Sequence, residues 1–455
     1  MEPEKQAAAG PLAGIKVVDV SSAVAGPWVS SWLAEQGADV IFIEKVGVPD
    51  VMRMTGAING DQSGCWVHMH RNKRGMDLDI RDDTGREILM KLVVEADVFI
   101  QNFRPGVVER LAIDYSSLST INPDLVYLSV SGFGADGPYS ERPVYDPIIQ
   151  ATSGMAEAQN GTYVKAVVAD KTTAMAGANA VLAALLARAN GAGGQHVQIA
   201  LLDTMLHWMW LEVFWNESLP DAVPTPTYSQ WYEPWDTIDG QIAANWVNFD
   251  QYKGACVALG RPDLADDPRF ATRDARLRNA DAQRTEFASI LKTMMSADAI
   301  SALEAADVPC ARVLSRQEVF ADPQVIHNQV IVEEIHPTAG RIRTARPPAK
   351  FSATPTQLRS HAPGKGEHTD EILRELGFGD PDIEIPVAED LITVPGSPVR
   401  EDDISVYSRE YPLESIAIEQ SASAEWAQGV REEFSPETAQ LYERHQQEMA
   451  SIVDC

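Results

Sequence analysis

Asp170 is the residue whose type and position point most directly to chemistry. It follows the apolar run 166–169 and directly precedes a long Ala/Leu-rich stretch that reads as a helix over 172–190. One reading of such an aspartate is a helix cap. The other is chemical, because amides at a helix start favour and orient an ionised carboxylate, and an ionised, oriented carboxylate can attack an acyl carbon. A basic cluster, Arg71, Lys73 and Arg74 around Asn72, and a second pair, Arg104 and Arg110 flanking Pro105 and Gly106, are candidate phosphate contacts. They read equally as solvated charged faces. Gly132 and Gly134, after a strand-like run, would let backbone approach a ligand closely, or would simply turn a loop. His68 and His70 near Cys65 are too few ligands for a metal centre. Eight tryptophans and tyrosines from Trp208 to Trp246 are either scattered core residues or the wall of a pocket for a bulky substrate.

The elements that must position these groups follow from hydrophobic patterning. Strands are expected over 16–20, 39–44, 76–80, 97–100, 125–130 and 195–201, and helices over 25–36, 84–95 and 107–111. Pro27 fits the first turn of the helix over 25–36, and Gly37 fits its C-terminal cap. Short strands alternating with helices, apolar on both faces, predict an α/β fold, a Rossmann-like large domain with a parallel sheet. The turn after the first strand lacks G-x-G-x-x-G, and the chain has neither a P-loop nor a G-x-S-x-G elbow. That disfavours nicotinamide, flavin and nucleotide chemistry and a serine hydrolase.

Bulk properties narrow the partners. The 455 residues carry a formal net charge of −29, which repels nucleic acid and anionic membrane surfaces. An anionic ligand must then be held by a local basic cluster. The longest nearly apolar stretch, 174–187, is too short for a bilayer span and suits a core helix. Residues 1–10 carry Glu2 and Glu4 and no apolar leader. Four cysteines lie far apart with no C-x-x-C pair, as expected of a reducing, cytoplasmic compartment.

Taken in order, several segments resemble the class III (CaiB/BaiF-type) CoA-transferase family. They include Ala25-Gly26-Pro27, Arg71 to Arg74 with Leu78 and Asp79, and Asn102-Phe103-Arg104-Pro105-Gly106. Ser131-Gly132-Phe133-Gly134, Tyr145-Asp146-Pro147, Ala169-Asp170, Asp267 to Phe270 and Gly366 to Thr369 follow. The resemblance covers roughly residues 11–377 and implies a CoA-transferase with Asp170 as nucleophile. The enzyme would pass through an aspartyl-acyl anhydride and an aspartyl-CoA thioester, with Tyr145 near the active site. It implies CoA contacts at Val24, Lys45, Lys73, Arg74, Asn102, Phe103, Arg104 and Arg110. No cofactor would be bound permanently; coenzyme A and acyl-CoA are substrates, and an organic acid is the other reactant.

The same resemblance implies an interlocked homodimer and a domain order of 1–225 (large domain), 226–335 (small α+β domain), 336–380 (return segment completing the large domain) and 381–455 (acidic extension). The alternative is an acyl-CoA racemase or isomerase working by α-proton transfer. That branch of the family uses a histidine where Tyr145 stands. Residues 228–235, aromatic here, replace the glycine run of formyl-CoA transferases, so an acid larger than formate or oxalate is expected.

Overall fold

The computed structural model describes residues 10–225, 232–379 and 392–393. Six parallel strands form the central sheet: β1 (Lys16–Asp19), β2 (Asp39–Glu44), β3 (Lys73–Leu78), β4 (Val98–Gln101), β5 (Val126–Ser131) and β6 (Gln195–Ala200). The sheet order is β3-β2-β1-β4-β5-β6, and Ile392–Thr393 adds an antiparallel edge beside β3. The sheet is thus the α/β arrangement predicted from sequence. Val17 and Val18 point to opposite faces and are both buried, because helices cover the sheet on both sides.

Helix α1 (Ala25–Glu35) and helix α2 (Val168–Ala187) cover one face, with Val29, Leu33, Val181 and Leu185 in its core. Helix Asp83–Glu95 and helix Thr369–Glu375 cover the other with Ile88, Leu92, Ile372 and Leu373. Helix α1 stops where the glycine predicts. Gly37 takes φ +107, its amide donates to Ala34 O, and the Ala38 amide donates to Leu33 O, the paired bonds of a left-handed helix terminus. Helix α2 lies against α1 so closely that a Cβ at Gly177 would be 3.0 Å from Val29 Cγ2. By length and composition alone Val168–Ala192 would pass as a membrane span. Here its Ala174, Ala178 and Val181 are buried against the sheet layer.

The strand order reverses at β1, which lies between β2 and β4 although β2 and β3 precede β4 in the chain. Loops leaving the carboxyl ends of β1 and β4 diverge from such a point and leave a crevice for ligands. Helix α2 brings a further side chain to that edge. Its far end is tied to the entry of β5, where Arg188 Nη1 donates to Asp124 O and the Gly194 amide to Pro123 O. Its first turn, with Asp170, therefore lies at the opposite edge, where the parallel strands finish.

Residues 235–312 build a second core around a three-stranded antiparallel sheet (Trp235–Thr237, Gly240–Ala244, Cys310–Arg312), with Trp235, Trp246, Tyr252 and Phe287 inside it. Downstream, the chain returns to the large sheet. Arg359 donates to the carbonyls of Ala34, Gly37 and Ala38, Trp66 Nε1 donates to Pro363 O, and the His368 amide donates to Gly75 O. The acidic extension over 381–455, apart from Ile392 and Thr393, lies outside the described residues, as do Tyr228 and Trp231.

Candidate active site

Asp170 sits inside the first turn of α2, not at its cap. The helix begins at Val168, four residues earlier than the sequence suggests, and Val167 at the cap position has no capping side chain. The cap comes from another element. Asp146, at the start of helix Asp146–Thr152 and only 2% exposed, accepts hydrogen bonds from the amides of Ala169 (2.6 Å) and Asp170 (3.3 Å). Gln150 Nε2 donates to the other Asp146 oxygen at 2.6 Å and braces the 164–166 backbone. With its usual capping duty taken over, the half-buried Asp170 carboxylate makes no hydrogen bond or ion pair among the described residues. Burial, reinforced by the nearby Asp146 charge, pushes its pKa up to about 7. The cap reading of Asp170 is therefore corrected, and Asp146 is the residue whose role local pattern did not disclose. Its only sequence signal was its place immediately before Pro147.

Tyr145, the residue before Asp146, is 76% exposed. The strand-to-helix loop nearby is compact at Gly132, where a Cβ would fall 2.1 Å from Val144 Cγ1. The missing side chain at Gly132 thus leaves room for the Val144 side chain. His68 lies 5.3 Å from the Trp28 ring, and burial, with Arg71 and Lys171 adding to it, holds its pKa near 4. It is a neutral imidazole at physiological pH. His70 is stacked on Trp66 at 3.7 Å and buried. Among the described residues no three potential metal ligands converge.

The switch-point crevice gathers most of the other predicted positions. Asn102 stitches its two sides together: its Oδ1 accepts from the Ser22 amide (2.9 Å), and its Nδ2 donates to Ser22 O (2.8 Å). Val24 follows Ala23, whose φ of +61 is held by a 2.8 Å bond from its amide to Asp50. Phe103 is half-buried with its amide donating to Gln101 Oε1. Arg104 and Arg110 are exposed, and neither forms an ion pair among the described residues. The Arg110 guanidinium folds back over Gly106, 3.5 Å from where a Cβ would be. Lys45, just past β2, is also exposed, and its carbonyl is held by Lys365 Nζ at 3.0 Å.

Lys73 and Arg74 depart from expectation. They open β3, at the end of the sheet away from the crevice loops, because that strand begins three residues before the sequence suggests. Lys73 is 0% exposed; its Nζ donates to Pro27 O at 2.7 Å and lies 5.2 Å from the Phe42 ring centre. Burial lowers its pKa to about 8 against the pull of Asp19, Asp50 and Glu35. Arg74 is bound by Asp39, Glu371 and Glu375. Arg71 is likewise spent on Glu35 in a buried pair. Among the described residues Lys45, Arg104 and Arg110 make no ion pair, whereas Lys73 is held on Pro27 O and Arg74 on three carboxylates. The aromatic segment is also divided. Trp235 and Trp246 fill the second core, while Trp208 and Trp210 stand exposed near the end of helix Leu201–Met209.

Comparison with known proteins settles the family. The sequence profile of CoA-transferase family III matches residues 12–369. The chain belongs to CoA-transferase family III. An acyl-CoA transferase of Fusarium pseudograminearum is 32% identical over 400 residues, 81% of this chain and 85% of that protein. A formyl-CoA:oxalate CoA-transferase of Escherichia coli O157:H7 is 30% identical over 405 residues, covering 82% and 97%. A CaiB/BaiF family protein from Brucella suis, solved by crystallography, superposes with a TM-score of 0.70 at 31% identity, covering 81% and 99%. The transferase therefore shares fold and family with enzymes that act on CoA thioesters, and its sheet edge carries a free carboxylate on one helix and free cations on adjacent loops.

Proposed function

We propose that the transferase moves CoA from an acyl-CoA donor to a carboxylic acid through covalent intermediates on Asp170. The observation that supports this most is the unpartnered Asp170 carboxylate held in the first turn of α2 while Asp146 caps the helix. The carboxylate attacks the donor thioester carbonyl, forms an anhydride and expels CoA thiolate. The thiolate attacks the aspartyl carbonyl and releases the donor acid, leaving an aspartyl-CoA thioester. The acceptor carboxylate then attacks that thioester to give a second anhydride, and thiolate attack on its acyl carbon yields the new acyl-CoA and free Asp170. Anhydride and thioester are close in energy, so the chain needs no ATP. Arg104, Arg110 and Lys45 hold the phosphates of CoA, and Val24, Asn102 and Phe103 line its path. Tyr145 stands beside the reacting centre.

The acyl group is larger than formyl. Supporting this, Trp208 and Trp210 are exposed, and the 228–235 segment is aromatic. The active unit is an interlocked homodimer in the cytoplasm. Exposed Met175 and Leu186 on α2 and exposed Leu211 offer an apolar surface for a partner subunit. Cys65, Cys256 and Cys310 are all free thiols.

Arg104→Ala tests the phosphate assignment. It is expected to raise KM for acyl-CoA about 10-fold or more, since a charge-assisted contact is worth roughly 1.5–3 kcal/mol, while kcat changes little. Steady-state kinetics at fixed acceptor concentration checks it; an unchanged KM refutes the assignment.

Protonation of Asp170 sets the acidic limb of the rate profile. Because burial and then Asp146 raise its pKa to about 7, the ionised nucleophile is lost as pH falls through that value, and kcat/KM should fall with it. Asp146→Asn keeps an acceptor for the helix amides but removes the like charge. The limb should then move to lower pH, measured as kcat/KM between pH 5 and 9.

A further inference from the structure

Three consecutive amides in the turn between β1 and α1 are each taken by a side chain from a different element. The Ser21 amide donates to Asp19 Oδ1 at 2.9 Å, the Ser22 amide to Asn102 Oδ1 at 2.9 Å and the Ala23 amide to Asp50 Oδ2 at 2.8 Å. Asp19 ends β1, Asn102 follows β4, and Asp50 precedes the short helical turn Val51–Met54. Ala23 itself has φ +61. That is left-handed backbone, where a Cβ crowds the neighbouring carbonyl oxygen and glycine is the usual occupant. Asparagine or aspartate could steady itself there through its own side chain, but alanine has nothing to offer. The conformation therefore has to be imposed by its surroundings. Helix α1 begins directly afterwards, so close that a Cβ at Gly26 would lie 2.4 Å from Ser21 Cβ.

Asp50 is built to do this. It is 8% exposed, and its second oxygen, Oδ1, accepts from the Met52 amide at 2.8 Å. Its own amide donates to Glu44 Oε1 at 3.1 Å, and Glu44 is gripped in turn by Arg53. The carboxylate is thus fixed on one side by β2 and on the other by the 51–54 turn, with one oxygen left for the Ala23 amide. A hydrogen bond to a buried carboxylate is of the stronger, charge-assisted kind, enough to offset a left-handed residue.

We propose that Asp50 is a positioning residue for CoA binding: it holds Ala23 in the left-handed conformation and so sets the Val24 backbone beside Asn102. This rests on the reading that Val24, Asn102 and Phe103 line the CoA path. Asp50 acts on that path through Ala23 and not by touching the substrate. The turn is ordered before CoA arrives, so binding does not have to order it.

Steady-state kinetics and calorimetric titration of the full-length enzyme with CoA test this. Asp50→Ala should raise KM for acyl-CoA, and Kd for CoA, about 10-fold, the scale of a left-handed penalty no longer opposed. Its kcat should change little, the signature of lost uniform binding. Adding Ala23→Gly should return both constants most of the way, because glycine takes positive φ without a clamp. A carboxylate that served stability alone predicts the opposite, since glycine gives the unfolded chain more freedom and would deepen the defect. Asp50→Asn keeps the side-chain shape and one accepting oxygen, which preserves a folded variant if alanine gives none. Its smaller loss should be reversed by Ala23→Gly as well. Unchanged constants in the Asp50 variants, or a loss that Ala23→Gly does not repair, overturn the proposal. Arg104→Ala is the reference: if it weakens CoA binding and the Asp50 variants do not, the CoA path stands without this clamp. If neither weakens it, the reading of the path itself fails.

Discussion

Asp170→Ala is expected to lower CoA transfer by about 10⁴-fold or more, the scale on which removing a covalent nucleophile acts, while CoA still binds. The variant removes the attacking oxygens and nothing that touches Arg104, Arg110 or Asn102. The fold should survive as well, because Asp146 and not Asp170 satisfies the α2 amides. A half-buried carboxylate with a pKa near 7 destabilises the folded chain slightly above that pH. The sign follows from protons bound: between about 4 and 7 the folded state holds more of them, so its stability declines as pH rises. Asp170→Ala should therefore melt no lower than the parent at pH 8. Hydroxylamine added during turnover should mark Asp170 as a hydroxamate, seen by peptide mass spectrometry. Turnover in heavy water should leave the α-carbon protons of the product unexchanged, which an isomerase would not. Normal transfer by the alanine variant would refute the nucleophile.

Arg53→Ala should cost about 3–5 kcal/mol of stability, the range for uncoupling a buried ion pair. The Arg53 guanidinium contacts both Glu44 oxygens through Nε (2.9 and 3.1 Å) and Nη2 (2.6 Å), donates to Pro363 O, and lies 3.6 Å from the Trp66 ring centre. Both partners are under 10% exposed. Its loss leaves Glu44 charged and buried near Asp50. Lysine should not rescue it, since an ammonium cannot reproduce the two-pronged contact or the planar stacking. The double variant Glu44→Leu with Arg53→Met should recover much of the loss, because no uncompensated charge remains. Urea denaturation at constant m-value measures all three. Equal stability of Arg53→Ala and parent would show that the pair is dispensable. The effect reaches the site as well, because Lys45 follows Glu44 directly.

Local pattern was enough for what depends on neighbours in the chain. The strand at 39–44, the helix opening at Ala25 and the glycine stop at Gly37 match the structure because apolar spacing, Pro27 and a positive-φ position encode them locally. What local pattern left open shares another cause. Lys73 and Arg74 look like loop cations until β3 is seen to begin with them, and what makes charged residues tolerable there is Pro27 O in one case and Asp39, Glu371 and Glu375 in the other. Helix α2 begins early because its cap is supplied from 24 residues upstream by Asp146. For Trp235 and Trp246, where a core place and a pocket wall were both open, the core reading holds. In each case the deciding partner is distant in sequence, which periodicity does not encode.

The return of residues 359–375 to the first strands bears on how the polypeptide is made. The Gly75–His368 and Arg74–Glu375 contacts span 293 and 301 positions. At a ribosomal pace of roughly 5–20 residues per second, the β3 edge waits roughly 15 to 60 seconds for the helix that shields it. Through that interval Met76 and Leu78 lack their final shelter, so the nascent chain presents a sticky strand while residues 235–312 are still being translated. Long-range closure of this kind is slow to nucleate, and the yield of active enzyme on expression should depend on chaperone supply and growth temperature more than on the melting point of the finished protein.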